Sequence, residues 1–432
     1  MDGLATLGLL FAGLCAAVVV ALVMRAAPKI MFVLWVLVAF FVPVWIGVSA
    51  GTFWAAITIV TILAIVACGA SVRLSAVDGF VAAFAFLVIG AFALRSTSLS
   101  ATVIAIVEWV IPYIWGRLVL ARLEASFIVR GIAAATVAAA AFALIEFATG
   151  VNPFLLLPAQ GPSFEVWGTL QNRAGFVRVE GAFGHSIALG ATLAMGSAFV
   201  VASPWRPWWK VVLLAIVAGA TVLTFSRIGL TTLVLAVALS IFTLPHITRA
   251  TRVVVGVTGV VAGLIIVPFL GAVFLDAGQE AGGSAAYRGG LLDLLPLVQV
   301  FGSAPALDGV TIGGQYLGYY AGSIDNALLV VALRVGWIPT AILVVALVLA
   351  MLPIFRRGGS NPAVIAVITQ IPALFAVAFI TQYGMIFWFM VGLAVAYETR
   401  RRASLDDPGG LTESSPTGRE RAGVAAWSAT PR

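Results

Sequence analysis

Only 9% of the 432 residues are charged, against 62% hydrophobic. Water-soluble domains carry about 25% charged residues, so the bulk of this chain is not a soluble fold. Cysteine is nearly missing. Cys15 and Cys68 both sit in apolar runs, which excludes a disulfide scaffold and gives no sign of a thiolate metal site. There are two histidines, His185 and His246, and no cluster of metal-ligand spacing, so neither a metal nor another cofactor is expected. Glycine is abundant, yet no stretch has phosphate-loop spacing, and no Ser-His-Asp arrangement suggests itself. The apolar runs are continuous rather than alternating, which excludes a transmembrane β-barrel.

What is present is a succession of apolar runs near twenty residues, each able to cross a hydrocarbon core of roughly 30 Å. The first covers 4–24, and 30–69 is long enough for two spans turning near 48–51. Further spans fall at 80–94, 102–120, 131–148 and 186–202, then at runs ending near 225, 244 and 275. One more opens at Asp325 and ends at Arg356, and 363–397 reads as two short spans breaking near Thr381-Gln382. The fold class expected is all-α: a polytopic transmembrane helical bundle of about twelve to thirteen spans. Residues 1–402 form the membrane domain, and 403–432, rich in Pro, Gly, Ser and charge, form a disordered cytoplasmic tail. The N-terminus lacks a basic leader, so it reads as a first span rather than a cleaved signal.

The net charge is +7. Because the basic residues lie in short loops at 25–29, 117–130, 206–210, 249–252 and 356–357, the positive-inside rule accounts for it and nucleic acid is not called for. With those loops in the cytoplasm, two longer loops, 150–184 and 276–324, and the turn at 226–228 fall on the external side. The second loop carries a run with apolar residues at 291, 292, 294, 295, 297 and 298, suited to an amphipathic helix lying on the membrane surface.

Several polar residues at that face could carry chemistry, and each has a plainer alternative. Arg227, flanked by Thr224 and Ser226, offers a planar fork suited to phosphate, or it is an interfacial arginine snorkelling to headgroups. Arg288, preceded by Tyr287, could face an anionic headgroup from the start of a simple cover helix. Asp325-Asn326 is either a helix cap or a carboxylate that accepts a proton from a hydroxyl. His185 ends the run Arg178-Val-Glu-Gly-Ala-Phe-Gly-His and is either structural or part of a pocket. His246 falls on the cytoplasmic side and is set aside. Glu108 and Arg334 lie inside spans, where charges are paired or functional; an ion pair and a proton-coupled transporter are the two readings.

Taken together, these pieces resemble the O-antigen ligase and O-antigen polymerase superfamily of bacterial envelope proteins. The resemblance rests on the 178–190 run, on Thr224-Phe-Ser-Arg227-Ile-Gly-Leu, on Arg288 followed by 296–302, and on Asp325-Asn326-Ala-Leu-Leu with Arg334-Val-Gly336-Trp-Ile. It covers about 170–340; the N-terminal spans match only in being apolar. Ligases of the family carry His-Asn where this chain has Asp325-Asn326, which favours a repeat-unit polymerase over a ligase that attaches finished glycan. The resemblance implies a multi-pass glycosyltransferase of the bacterial cytoplasmic membrane, active at its external face on a polyprenyl-pyrophosphate-linked oligosaccharide, with no cofactor. Arg227, Arg288 and Asp325 would be its catalytic residues, and Arg178, His185, Ser226, Asn326 and Tyr287 would bind substrate. The partners implied are the lipid-linked donor, a glycan acceptor, the bilayer, and flippase and chain-length regulator proteins. A transporter or flippase, or a non-enzymatic scaffold, are the other readings; converging external arginines would distinguish the transferase from both.

Overall fold

The structure is a computed structural model that describes residues 2–50, 52–157, 161–173, 175–245, 247–276, 289–305, 311–312, 315–316, 324–356 and 358–406. The described part is mostly helical. Four of its helices are long and apolar enough to cross a membrane: Ala76–Ala93, Leu99–Arg122, Ala125–Thr149 and Trp337–Phe355. Shorter apolar helices accompany them, including Pro28–Phe41, Ala56–Cys68, Ser186–Ala202, Pro207–Leu223 and Arg227–Thr243. Large apolar side chains face outward, with Phe86, Phe242 and Leu264 exposed by 76, 77 and 73%. An outer surface of that kind suits an apolar surrounding rather than water.

Two helices form the centre. All of Ser186–Ala202 except Ile187 and Ala202 is buried, and Thr381–Asp406 is buried from Gln382 to Ala396. The second runs in the same sense as Ile111–Arg122: Phe379 meets Trp109, and Phe389 meets Trp115 further along. Glu398, which binds Arg356, Arg401 and Arg402, therefore lies at the Arg122 end. There Arg122 also donates to the Arg25 carbonyl, and Arg117 to that of Arg73. The irregular segments gather at the other end. Gln382 Nε2 donates to the carbonyls of Val42 and Ala182, Trp45 packs on Phe164, and Ser303 N–H bonds Ser96 O.

Several segments differ from the sequence expectation. Residues 30–69 hold two helices of 14 and 13 residues separated by a β-hairpin, Gly47–Ala50 with Thr52–Ala55. Two other two-stranded hairpins, Asn172–Arg173 with Phe176–Val177 and Thr311–Ile312 with Gln315–Tyr316, add to an otherwise helical fold. Arg117, expected in a basic loop, is inside a helix and 4% exposed, its guanidinium on Asp78 at 2.7 and 2.9 Å. The run beginning at Asp325 is broken: Ala327–Val335 ends at Gly336, φ +90°, and Trp337–Met351 starts anew. Gly336 is required there, because a Cβ would sit 2.8 Å from Phe301 Cα. The tail expected from 403 is still helical to Asp406, and the rest of it lies outside the described residues.

The amphipathic helix of the second loop is also corrected. Leu291–Leu297 is a 3₁₀ helix. With three residues per turn, Leu291 and Leu294 share one face, buried together with Val298 against Leu329, Val330 and Leu333, while Leu292 and Leu295 are exposed. Pro296 removes one amide donor and discourages the wider α-turn.

The Leu99–Arg122 helix contains a π-helical stretch, Ile104–Val110. Pro112 cannot donate to the carbonyl of Glu108 four residues earlier, and the preceding ladder widens so that Ile111 N–H reaches Ile106 O. Such π-segments recur at functional sites.

Candidate active site

Ser186–Ala202 and Arg227–Thr243 lie side by side with their N-termini at the same end. Their contact is made by Gly190 and Gly229: a Cβ on Gly229 would come 3.1 Å from Gly190 Cα. This close approach sets the Thr224–Arg227 turn beside the start of the first helix. The turn is strained, since Phe225 has φ +47° without being glycine. Its ring stacks on Phe176 of the neighbouring hairpin, centroids 5.5 Å apart.

Arg178 locks the two pieces together. It is 8% exposed, and its Nε donates to the Thr224 carbonyl at 2.8 Å while Nη1 donates to Gln171 Oε1 at 3.2 Å. Val179 N–H adds a bond to Leu223 O. Ser226 caps the second helix, its Oγ accepting from Gly229 N–H at 3.0 Å, and Arg227 is exposed on that helix's first turn. His185 caps the first helix: Nδ1 accepts from Ile187 N–H at 3.2 Å. Burial, with Arg178 adding to it, pushes this imidazole down to about 4. At neutral pH His185 is therefore uncharged with its proton on Nε2, which makes it a hydrogen-bond donor to a ligand and not a base.

Two helix N-termini with two arginines make an electropositive spot, since each terminus carries roughly half a positive charge. Asp325 and Asn326 open the Ala327–Val335 helix, and the plainer reading holds for Asn326, whose Oδ1 accepts from Leu329 N–H at 3.0 Å. That helix and Arg227–Thr243 share Ile371–Leu374 as a neighbour. Tyr287, Arg288 and His246 lie outside the described residues.

No family model, curated protein or solved structure matches the chain.

Sequence reasoning passed over the layer beneath these residues. Glu146, at the end of Ala125–Thr149, accepts from Glu180 N–H at 3.1 Å, Gly181 N–H at 2.9 Å and Asn152 Nδ2 at 3.1 Å. It thereby anchors the 180–185 segment that delivers His185. Glu180 is fully buried; Oε1 accepts from Gln171 N–H at 3.0 Å, and Oε2 has no partner among the described residues. Burial pushes the Glu180 carboxyl up to about 7; the Gln171 N–H and Arg178 oppose the rise and Glu146 adds to it. The signal was present as acidic residues in apolar surroundings, but the backbone groups they accept from are not readable along the chain.

Glu108 and Arg334 line one cavity of about 240 Å³ and attract each other. No ion pair within 4.0 Å joins them among the described residues. The same wall includes Trp54, Trp109 and Thr381, together with Ser163 and Trp167 from the 150–184 loop.

Proposed function

We propose that the chain is a polytopic membrane glycosyltransferase that acts at the external face of the bacterial cytoplasmic membrane on polyprenyl-pyrophosphate-linked glycans. Its reaction is the polymerisation of repeat units. The observation that carries this reading is the Arg178–Thr224 bond, which holds an arginine of the long loop against the Ser-Arg turn where two positive helix ends meet. A pyrophosphate matches that charge and its donors.

In the proposed reaction, the acceptor hydroxyl attacks the anomeric carbon of the donor sugar. The new glycosidic bond forms as the bond to pyrophosphate breaks, and the lipid pyrophosphate leaves with the electron pair. Arg227 and Arg288 offset the charge that grows on the leaving group. Asp325 accepts the hydroxyl proton, and Tyr287 and Asn326 bind substrate. Arg178 fixes the turn, and Ser226 and His185 complete the donor pocket. Four helices of spanning length, with shorter apolar helices among them, support a bundle in which basic turns and irregular loops occupy opposite ends.

The test is a deletion strain complemented with Arg227→Ala. Loss of long polymer with accumulation of single lipid-linked repeat units, at unchanged protein level, supports a polymerase. Accumulation of full-length polymer still on its lipid indicates a ligase. Normal chain length in that variant overturns the reading. The cavity at Glu108 and Arg334 favours a transporter as the second reading, since transporters keep their polar groups among the spans. An unchanged glycan profile with loss of small-molecule uptake or export would establish it.

A further inference from the structure

Glu108 presents a problem of its own. Its carboxylate faces a cavity of about 240 Å³, far above the roughly 10–15 Å³ that admits one water. Among the described residues it takes part in no hydrogen bond or ion pair. Arg334 also lines the cavity and offsets its charge, so the cavity is close to neutral overall while offering both strong acceptors and a fork of donors. Three indoles, Trp54, Trp109 and Trp167, contribute flat apolar surface. The Thr381 hydroxyl and the Trp109 indole N–H are buried without a partner among the described residues. Buried polar groups are rarely left so. Its lining includes irregular backbone: the π-helix carrying Glu108, and Thr381 with φ +47°.

A ligand for these walls needs hydroxyls around its rim, apolar faces above and below, and no net charge. The cavity is also joined to the electropositive site. Trp167 lines it and meets the His185 ring edge-on, centroids 5.9 Å apart. Val330, also in the wall, belongs to the helix that Asp325 precedes.

We propose that this cavity binds one neutral pyranose ring, the terminal sugar of the acceptor glycan, with Glu108 accepting from its hydroxyls, Arg334 donating to them, and the indoles stacking on its faces. The inference rests on the transferase reading for the word acceptor; the neutral sugar site itself does not.

The experiment uses the full chain in lipid nanodiscs and saturation-transfer NMR with methyl glucoside, methyl galactoside and methyl mannoside, each as both anomers. At least one of them receives saturation from the wild type. Glu108→Gln, which keeps the shape, weakens that binding by about tenfold, the scale of losing hydrogen bonds to a charged group. Ser163→Trp, a loop substitution that fills the cavity, abolishes it even if Glu108→Gln folds poorly. Arg227→Ala leaves it intact. Lack of transfer from all six glycosides to folded wild-type protein, or equal transfer with Ser163→Trp, overturns the proposal. The two readings fail separately. Normal polymer in Arg227→Ala with Glu108-dependent sugar binding would remove the transferase and keep the sugar site. Loss of polymer in Arg227→Ala without any sugar binding would do the reverse.

Discussion

Arg178 Nε donates to the carbonyl oxygen of Thr224 at 2.8 Å, across 46 residues of sequence. Lysine at this position could keep the charge but not the planar fork that serves Thr224 and Gln171 together. A hydrogen bond from a charged donor contributes about 1.5–3 kcal/mol, so on the proposed transferase reading Arg178→Lys should slow glycan transfer by roughly 10–100-fold. Pulse-labelling of long polymer at matched protein level measures this. An unchanged rate would mean that the bond serves stability alone.

How far the sequence could be read follows from such pairs. The apolar runs mark most helices, and the break at Thr381 is visible as two polar residues in an apolar run. Residues 48–51 read as a turn between two spans, but hydropathy does not show that the turn is an exposed β-hairpin that takes in Thr52–Ala55 as well. Gly336 lies in an apolar run as well, and the lack of room for a Cβ there comes from Phe301, which only the fold brings near. In the candidate site, Arg178, His185 and Ser226 were visible as polar residues at span ends. Glu146 and Glu180 were not, since their partners are backbone groups up to 35 residues away.

Gly336 gives a sharp stability test. Alanine there meets both an unfavourable backbone conformation and contacts of 2.8–3.0 Å with Phe301, Gln299 and Gly302. A cost of about 1–3 kcal/mol is expected. Amide exchange should speed up at Gly302 and Trp337, whose N–H groups bond Val335 O and Gln299 O across this junction. Gly90, in the Ala76–Ala93 helix, has open space around it; Gly90→Ala should be neutral or stabilising by up to about 1 kcal/mol. Equal effects of the two substitutions would count against this account.

The Arg117–Asp78 pair tests whether buried charge holds the opposite end together. Asp78 also accepts from Tyr113 Oη at 2.6 Å and from Ser75 N–H at 2.7 Å. Removing one partner leaves the other charge buried, at a cost of about 3–5 kcal/mol. Arg117→Met and Asp78→Asn should each lower the thermal midpoint in detergent markedly, and the double variant should recover part of the loss. Additive losses would show that the two charges act independently.

The last prediction concerns pH, where Glu180 and His185 act with opposite signs. An unfolded glutamate titrates near its ordinary value of 4.5, whereas folded Glu180 is pushed up to about 7. Between those values the folded chain holds a proton that the unfolded chain has lost. Stability therefore falls as pH rises through 4.5–7, by roughly 3 kcal/mol in all. His185 is pushed down from 6.5 to about 4, so its contribution is lost as pH falls from 6.5 toward 4. Over the shared window the two slopes oppose each other, so in the wild type each partly masks the other. Glu180→Gln keeps an acceptor for Gln171 N–H and removes the titration. That variant should be more stable than wild type at pH 8, and its midpoint should rise with pH across the window. His185→Asn should show the reverse slope, falling as pH rises. Parallel pH profiles for the two variants would mean that neither group is held in the environment the structure gives it.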